Sequence, residues 1–399
     1  MTRPVGPKGR AESREPGRGD GPARSGSHLS WLLAAVGAVG AITAAIIQPA
    51  DARSAASQVW SPFVLVGGLL LIGLVADTDG LFAAAGHMLA RVAHNGFVLY
   101  VGSMLLVAVV TAVLNLDTSV AFLTPMLVYT ARSRGEGHAP LLYGCLLLSN
   151  AASLVLPGSN LTNLIVLGHL HLSGGRFLTE LWPAALAAIL VTAAVVAIIE
   201  HRSLHSSVTG VARPDRPVLG VGLAAVVASA ILVVVLPAPA LPVAAVAVAA
   251  AGIRVLRRAE DPRRLLEVLG LPVLTGLFGI ALTLGTVGRA WAGPATLLSH
   301  LNTAGTAAVA ASAAVIVNNL PAAALLAARV PSHPYALLVG LNLGPNLFMT
   351  GSLAWILWRR AARTAGAQPS IAHASRLGAV AVPLAIAAAL GALALTGAR

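Results

Sequence analysis

Apolar residues fill this chain in runs of about 18 or more, each long enough to cross a bilayer, and polar residues interrupt the runs at a few places. Uninterrupted runs predict membrane-spanning helices at 30–50, 60–77, 182–200, 218–236, 240–256, 265–286 and 378–397. Pro237, Pro239 and Pro242 mark a tight turn between two of them. Two further apolar stretches, 140–170 and 335–358, are broken by "LPGSN" and "LGPNLFMTGS". Non-helical backbone at membrane depth persists only where protein or a cavity surrounds it. Two more, 97–131 and 304–329, are apolar arms around a polar middle: "LNLDTS" in the first, Asn318-Asn319-Leu320-Pro321 in the second.

The order of these elements repeats. Span 60–77, a short amphipathic piece 80–94, hairpin 97–131, broken helix 140–170 and span 182–200 form one half. Span 265–286, short piece 287–301, hairpin 304–329, broken helix 335–358 and span 378–397 form the other. If both hairpins re-enter without crossing, an odd number of crossings separates the copies and inverts the second. The expected fold is therefore an all-α polytopic membrane protein with two inverted repeats, each holding a re-entrant hairpin and a broken transmembrane helix. Inverted repeats with discontinuous helices are the architecture of secondary transporters, whose substrate site lies where the breaks converge. Residues 1–29 read as a disordered basic cytoplasmic tail and 30–200 as the first repeat. Residues 201–264 read as a cytoplasmic loop with linking helices over 218–256, and 265–399 as the second repeat.

Charge tests this topology. With the N-terminus cytoplasmic, only Arg53, Arg176, Arg289, Arg329 and Arg399 of the 26 Lys and Arg residues fall outside, as the positive-inside rule requires. The chain is then an integral protein of the plasma (inner) membrane. Hydrophobic residues make up 57% of the chain and charged ones 10%, which excludes an ordinary soluble domain. The net charge of +12 sits between apolar runs without interleaved aromatics, which argues against nucleic acid as a partner. Ala50-Asp51-Ala52 resembles a signal-peptidase site, but the run before it exceeds a signal-peptide core in length. Cys145 is the single cysteine, so neither an intrachain disulfide nor a multi-thiolate metal site can form.

The candidate chemistry lies at four tips. Asn115, Asp117, Thr118 and Ser119 form the first hairpin tip, with Thr118 or Ser119 expected to cap the returning arm. Gly158, Ser159, Asn160 and Thr162 mark the first break. Asn318 and Asn319 mark the second hairpin tip, and Asn346, Thr350, Gly351 and Ser352 the second break. Free backbone groups and small polar side chains suit a small oxyanion, a neutral hydroxylated solute or a cation held by carbonyls. Asp117 is the one acid placed deep in the membrane, where such a residue is costly and marks ion or proton pathways. It reads as a proton-coupling group or, more plainly, as a helix-capping acid. Asp77 and Asp79 end a span and read as solvated. His169 and His171 read as interfacial residues rather than metal ligands. No metal or cofactor is expected, no nucleotide-binding or hydrolase motif is present, and an intramembrane enzyme would need a second deep acid or a nucleophile.

In order along the chain, "LNLDTSVAFLTP", "SNAASLVLPGSNLTNLIV", "VNNLPAA" and "LNLGPNLFMTGSLAWILW" resemble the arsenite/antimonite efflux permeases. Those belong to the ion transporter superfamily, with the divalent-anion/sodium symporters and citrate transporters. The resemblance covers roughly residues 30–397. It implies two inverted repeats, substrate held between hairpin tips and breaks, and a homodimer. The family's Asn-Asp hairpin signature falls on Asn115 and Asp117 with one residue inserted between them. Its second Asn-Asn falls on Asn318 and Asn319, and its Gly-Ser on Gly351 and Ser352. Where those permeases tend to carry an acid and a lysine, this chain has Asn342 and Asn346. The Ser-Asn-Thr motif of sodium-coupled relatives is echoed only by Asn115 and Thr118, which favours a coupling proton over sodium. The expected function is secondary active efflux of arsenite or antimonite, coupled to protons through Asp117. The alternative is a sodium- or proton-coupled carrier of an inorganic anion or carboxylate.

Overall fold

The computed structural model describes residues 23–168, 173–204 and 220–397, with side chains from Ser30 onward. His169, His171 and most of the N-terminal tail lie outside the described residues. Among the described residues there are helices and no strands. The first is α1 (Ala23–Ile47), which begins seven residues before the expected span. It is followed almost at once by α2 (Pro49–Thr78). The polar stretch expected to separate the two spans is instead the first turns of α2. Pro49 sits at its start and Asp51 in its first turn, both favourable there. At 30 residues, α2 is about 45 Å long.

The first half continues through α3 (Leu81–Val92), α4 (Gly96–Val113), α5 (Leu116–Ser133), α6 (Ala139–Ala152), α7 (Leu161–Leu167) and α8 (Gly174–Ile199). Linking helices α9 (Val221–Val235), α10 (Ala240–Leu256) and the short amphipathic α11 (Pro262–Leu269) follow. The second half repeats the order: α12 (Leu271–Ala290), α13 (Gly293–Ser299), α14 (Thr303–Val317), α15 (Asn319–Leu326), α16 (Pro334–Leu343), α17 (Ala354–Thr364) and α18 (Ile371–Thr396). The expected short piece over 287–301 is divided: α12 takes its first residues, and α13 is only seven residues long. Six helical segments, over 30–47, 49–78, 96–113, 174–199, 262–290 and 371–396, are long and apolar enough to cross a membrane.

The two halves make corresponding contacts. The hairpin arms α4 and α5 pack together, as do α14 and α15. The returning arm α5 packs on α17 of the other half, and α15 packs on α7. The final helices α8 and α18 pack along each other. Matching caps recur too. Asn95 and Asn302 cap the outgoing hairpin arms, accepting from Val98 N and Gly305 N, both at 2.8 Å. Ser173 and Ser370 cap α8 and α18. At eight residues, α15 is about 12 Å long and cannot cross a membrane by itself.

Close packing replaces hydrophobic driving force between helices in lipid, and small residues permit it. The backbones of α1 and α12 meet at Gly37, Gly276 and Gly279, and Gly40 faces Thr283. At the opposite end of α2, Asp79 accepts from Arg254 Nη1 at 2.5 Å and from Gly222 N at 2.6 Å. Its side chain is 5% exposed. The expectation of a solvated Asp79 is thus corrected: Arg254 and Gly222, both far along the chain, enclose it and tie α2 to α9 and α10. Removing one partner of a buried pair strands the other charge. Asp79→Ala is expected to cost about 3 kcal/mol, and Arg254→Met a similar amount. Thermal unfolding in detergent measures this, and an unchanged midpoint in both variants would discount the latch.

Candidate functional site

Both hairpins turn on an asparagine. Asn115 adopts extended backbone and its Oδ1 accepts from Thr118 N at 2.7 Å. The cap of α5 is therefore Asn115, not Thr118 or Ser119, which lie in its first turn. An Asx side chain accepts from the N–H two or three residues on, and Asn115 stands at that distance. In the second half Asn318 caps α15, accepting from Leu320 N at 3.3 Å. Its φ is +79° and its ψ 149°, a backbone region that strains any residue but glycine. Asn319 follows it, buried, as the first residue of α15.

Each break is fastened to its own hairpin in the same way. Ser159 Oγ donates to Ala112 O at 3.1 Å, three residues before Asn115. Thr350 Oγ1 donates to Val315 O at 2.5 Å, three residues before Asn318. Asn318 Nδ2 returns to Thr350 O at 3.1 Å. Within the breaks, Asn160 caps α7 through Thr162 N at 3.1 Å, and Ser352 Oγ accepts from Ala354 N at 3.1 Å. Gly158 packs against Val233 and Leu65, and Gly351 against Pro345. A Cβ at Gly351 would overlap the Pro345 backbone, so that glycine permits a close approach, whereas one at Gly158 would meet side chains only.

Between the breaks lies a buried amide network that joins the two halves. Asn342 is its hub. Its Oδ1 accepts from Ser153 Oγ at 2.5 Å and from Asn160 Nδ2 at 2.8 Å. Its Nδ2 donates to Asn163 Oδ1 at 2.7 Å and to Leu338 O at 2.9 Å. Asn163 in turn donates to Ser153 O and Leu156 O. Asn150 Nδ2 donates to Asn346 Oδ1 at 2.9 Å, and Asn346 Nδ2 to Leu147 O at 2.9 Å. Ser149 connects this centre to the first tip through Ser119, at 3.4 Å. Of the expected residues, the structure brings Asn160 and Asn346 into the centre and Ser119 to its edge. Asn318 and Thr350 form a separate, more open end. Asn150, Ser153 and Asn163 escaped the sequence reading. The available signal was their i, i+3 spacing on either side of the first break, at positions where an apolar span would carry leucine.

Four buried polar atoms here make no hydrogen bond among the described residues: Asn115 Nδ2, Thr118 Oγ1, Asn150 Oδ1 and Thr162 Oγ1. Such atoms are rare and costly unless a ligand or water meets them. Asp117, half-buried in the first turn of α5, likewise has no partner among the described residues. The positive end of the α5 dipole favours an acid there. The arrangement supplies neutral donors and acceptors, one carboxyl group and no lysine or arginine.

An all-helical chain with apolar spans, two central breaks and orphaned polar atoms in its interior is built as an integral membrane protein. The profile of the CitMHS family, described as citrate transporter, matches residues 27–358, and the chain belongs to that family of secondary transporters. It is similar to an arsenical pump membrane protein of Escherichia coli, 25% identical over 368 residues, covering 84% of this chain and 85% of that one. The arsenical pump membrane protein of Shigella flexneri is 24% identical over 369 residues, with the same coverage. Among solved structures it is similar to the YdaH transporter of Alcanivorax borkumensis, with a TM-score of 0.49 and 14% identity, covering 87% of this chain and 88% of that one.

Proposed function

We propose that this carrier exports arsenite or antimonite in exchange for protons, with Asp117 as the coupling group. The orphaned atoms Asn115 Nδ2, Thr118 Oγ1, Asn150 Oδ1 and Thr162 Oγ1 carry the reading. Near neutral pH arsenite is mostly the uncharged As(OH)3, whose hydroxyl groups both donate and accept. Amides and hydroxyls match it without a counter-charge. A citrate-like or inorganic anion is the second reading, and the family's description favours it. With no arginine or lysine among the tip residues, a multiply charged anion would rely on helix N-termini and cotransported cations.

In this reading the two halves are inverted, both hairpins are re-entrant, and the N-terminus is cytoplasmic. The repeated element order, the reciprocal α5–α17 and α15–α7 packing and the distribution of arginines support it. The carrier works as a homodimer, as the family resemblance implies.

Arsenite flux in proteoliposomes under an imposed proton gradient tests the proposal. Wild type is expected to move arsenite against its gradient. Asp117→Asn is expected to reduce gradient-driven movement by about tenfold or more while keeping downhill exchange. Full driven flux in the mutant would leave Asp117 a helix-dipole acid only. Wild-type movement of carboxylates but not arsenite would favour the second reading.

A further inference from the structure

A cavity of about 640 Å³ lies between α3 and α5, away from the amide network. Its walls include Gly86 and His87 of α3, Met126 and Thr130 of α5, and Asp77 at the end of α2. Arg132 lines its far end and is fixed there by donating to Ala365 O at 2.5 Å and Gly366 O at 2.9 Å. Along α5 the lining runs from Phe122 to Ser133, a helical length of about 17 Å. The cavity therefore reaches from the arginine-bearing end of the bundle toward the first hairpin tip.

It stops at a pair of rings. Phe122 stacks on Phe82 of α3, with centroids 5.7 Å apart and planes within 18°. One helical turn beyond Phe122 is Thr118, fully buried, whose hydroxyl has no hydrogen-bond partner. The α2 backbone closes the remaining side. A Cβ on Gly73 would overlap Thr118 Cγ2 and lie 3.2 Å from Phe122 Cε2. The stacked rings therefore stand at the end of the cavity nearest Thr118 along α5. Side chains can swing without breaking a hydrogen bond, whereas the caps and breaks cannot.

We propose that this cavity is an access vestibule to the first hairpin tip and that stacked Phe82 and Phe122 form its gate. When the rings part, a small hydroxylated or singly charged solute reaches Thr118, Asn115 and Asp117 from the cavity. Asp77, His87, Thr130 and Arg132 supply polar groups to an otherwise largely apolar lining, and the apolar plate closes the approach without a specific contact to the cargo. The vestibule opens on the face that carries Arg91 and Arg132, which is cytoplasmic in the topology proposed above. The inference rests on the reading of the first tip as part of the transport path.

Thiol accessibility tests it without any transported solute, so its outcome is separate from that of the arsenite assay. The full chain carries Met126→Cys or Thr118→Cys, with fully buried Cys145 as an unreactive internal reference. A charged, membrane-impermeant methanethiosulfonate is applied to inside-out and right-side-out vesicles. Met126→Cys is expected to react from the cytoplasmic face, and Thr118→Cys to react slowly. Adding Phe122→Ala, or separately Phe82→Ala, is expected to speed Thr118→Cys labelling about tenfold while leaving the Met126→Cys rate within about twofold. The unchanged Met126→Cys rate shows that the vestibule is still formed, and Phe122→Leu replaces any variant in which it is not. Thr118→Cys labelling that ignores both ring deletions overturns the gate. An unreactive Met126→Cys, or one reached only from the other face, overturns the vestibule.

Discussion

Asn342→Leu is expected to abolish transport and to lower thermal stability more than any other single change in the amide network. Leucine has the branched shape of asparagine and is the bulkier of the two, so no cavity forms and the loss is chiefly one of polarity. Asn342 uses its full hydrogen-bonding capacity: two bonds accepted, two donated. Ser153 Oγ retains Asn150 O at 2.7 Å, so its loss is small. Asn163 Oδ1 and Asn160 Nδ2 each lose their only partner to the second half. A buried polar atom left alone costs about 1–3 kcal/mol, so the pair amounts to roughly 2–6 kcal/mol, a large share of a typical folding stability. Asn346→Leu is the comparison. It frees Asn150 Nδ2, which still has Leu146 O at 3.3 Å, and Leu147 O. It should therefore lose less. Unfolding midpoints in detergent check this order, and a variant order of Asn346→Leu below Asn342→Leu would mean that Asn342 is no hub. Flux measured beside stability separates a collapsed centre from one that is folded but inactive.

The hub also explains which parts of the site could be read from sequence. Apolar runs announced where the spans lie, because lipid tolerates little else, but not where they start: α2 begins at Pro49 rather than 60, and α8 at Gly174 rather than 182. The hairpin tips stood out because Asn, Asp and Ser rarely interrupt such runs. The identity of the cap did not, since Asn115, Thr118 and Ser119 are all capping residues and only backbone angles distinguish them. The side-chain partners of Asn342 lie more than 170 positions away, and no local pattern encodes such a pairing. In sequence, Asn346 was legible as a residue of the second break, but Asn342 only as an uncharged replacement in a charged pair. In the fold those same amides bond the two breaks to each other, which a charged pair at these positions would do by different geometry. Asp79 teaches the same lesson at the membrane edge. An acid at the end of a span is solvated by default, and only the arrival of Arg254 reverses that.

Gly378→Val is expected to stop transport while the protein still inserts in the membrane. Gly378 lies on α18 where the second break crosses it. A Cβ there would overlap the Asn346 carbonyl and come within 3.3 Å of Leu347 Cα. Both obstacles are backbone, so no side-chain rotation relieves them. Overpacking of a tight contact costs about 1–3 kcal/mol even where side chains can yield, and here either α18 or the break must move. α18 is held along its length by α8, which leaves the break as the part that shifts. Asn346 belongs to that break, so its bonds to Asn150 and Leu147 are the first to fail. Gly391→Val on the same helix supplies the contrast, because no atom lies within 4 Å of its Cβ. Flux in proteoliposomes should be lost in the first variant and kept in the second. Transport by Gly378→Val at the wild-type rate would show that the second break need not sit against α18. Loss in both would point to α18 itself, and to its pairing with α8, as the element that transport cannot spare.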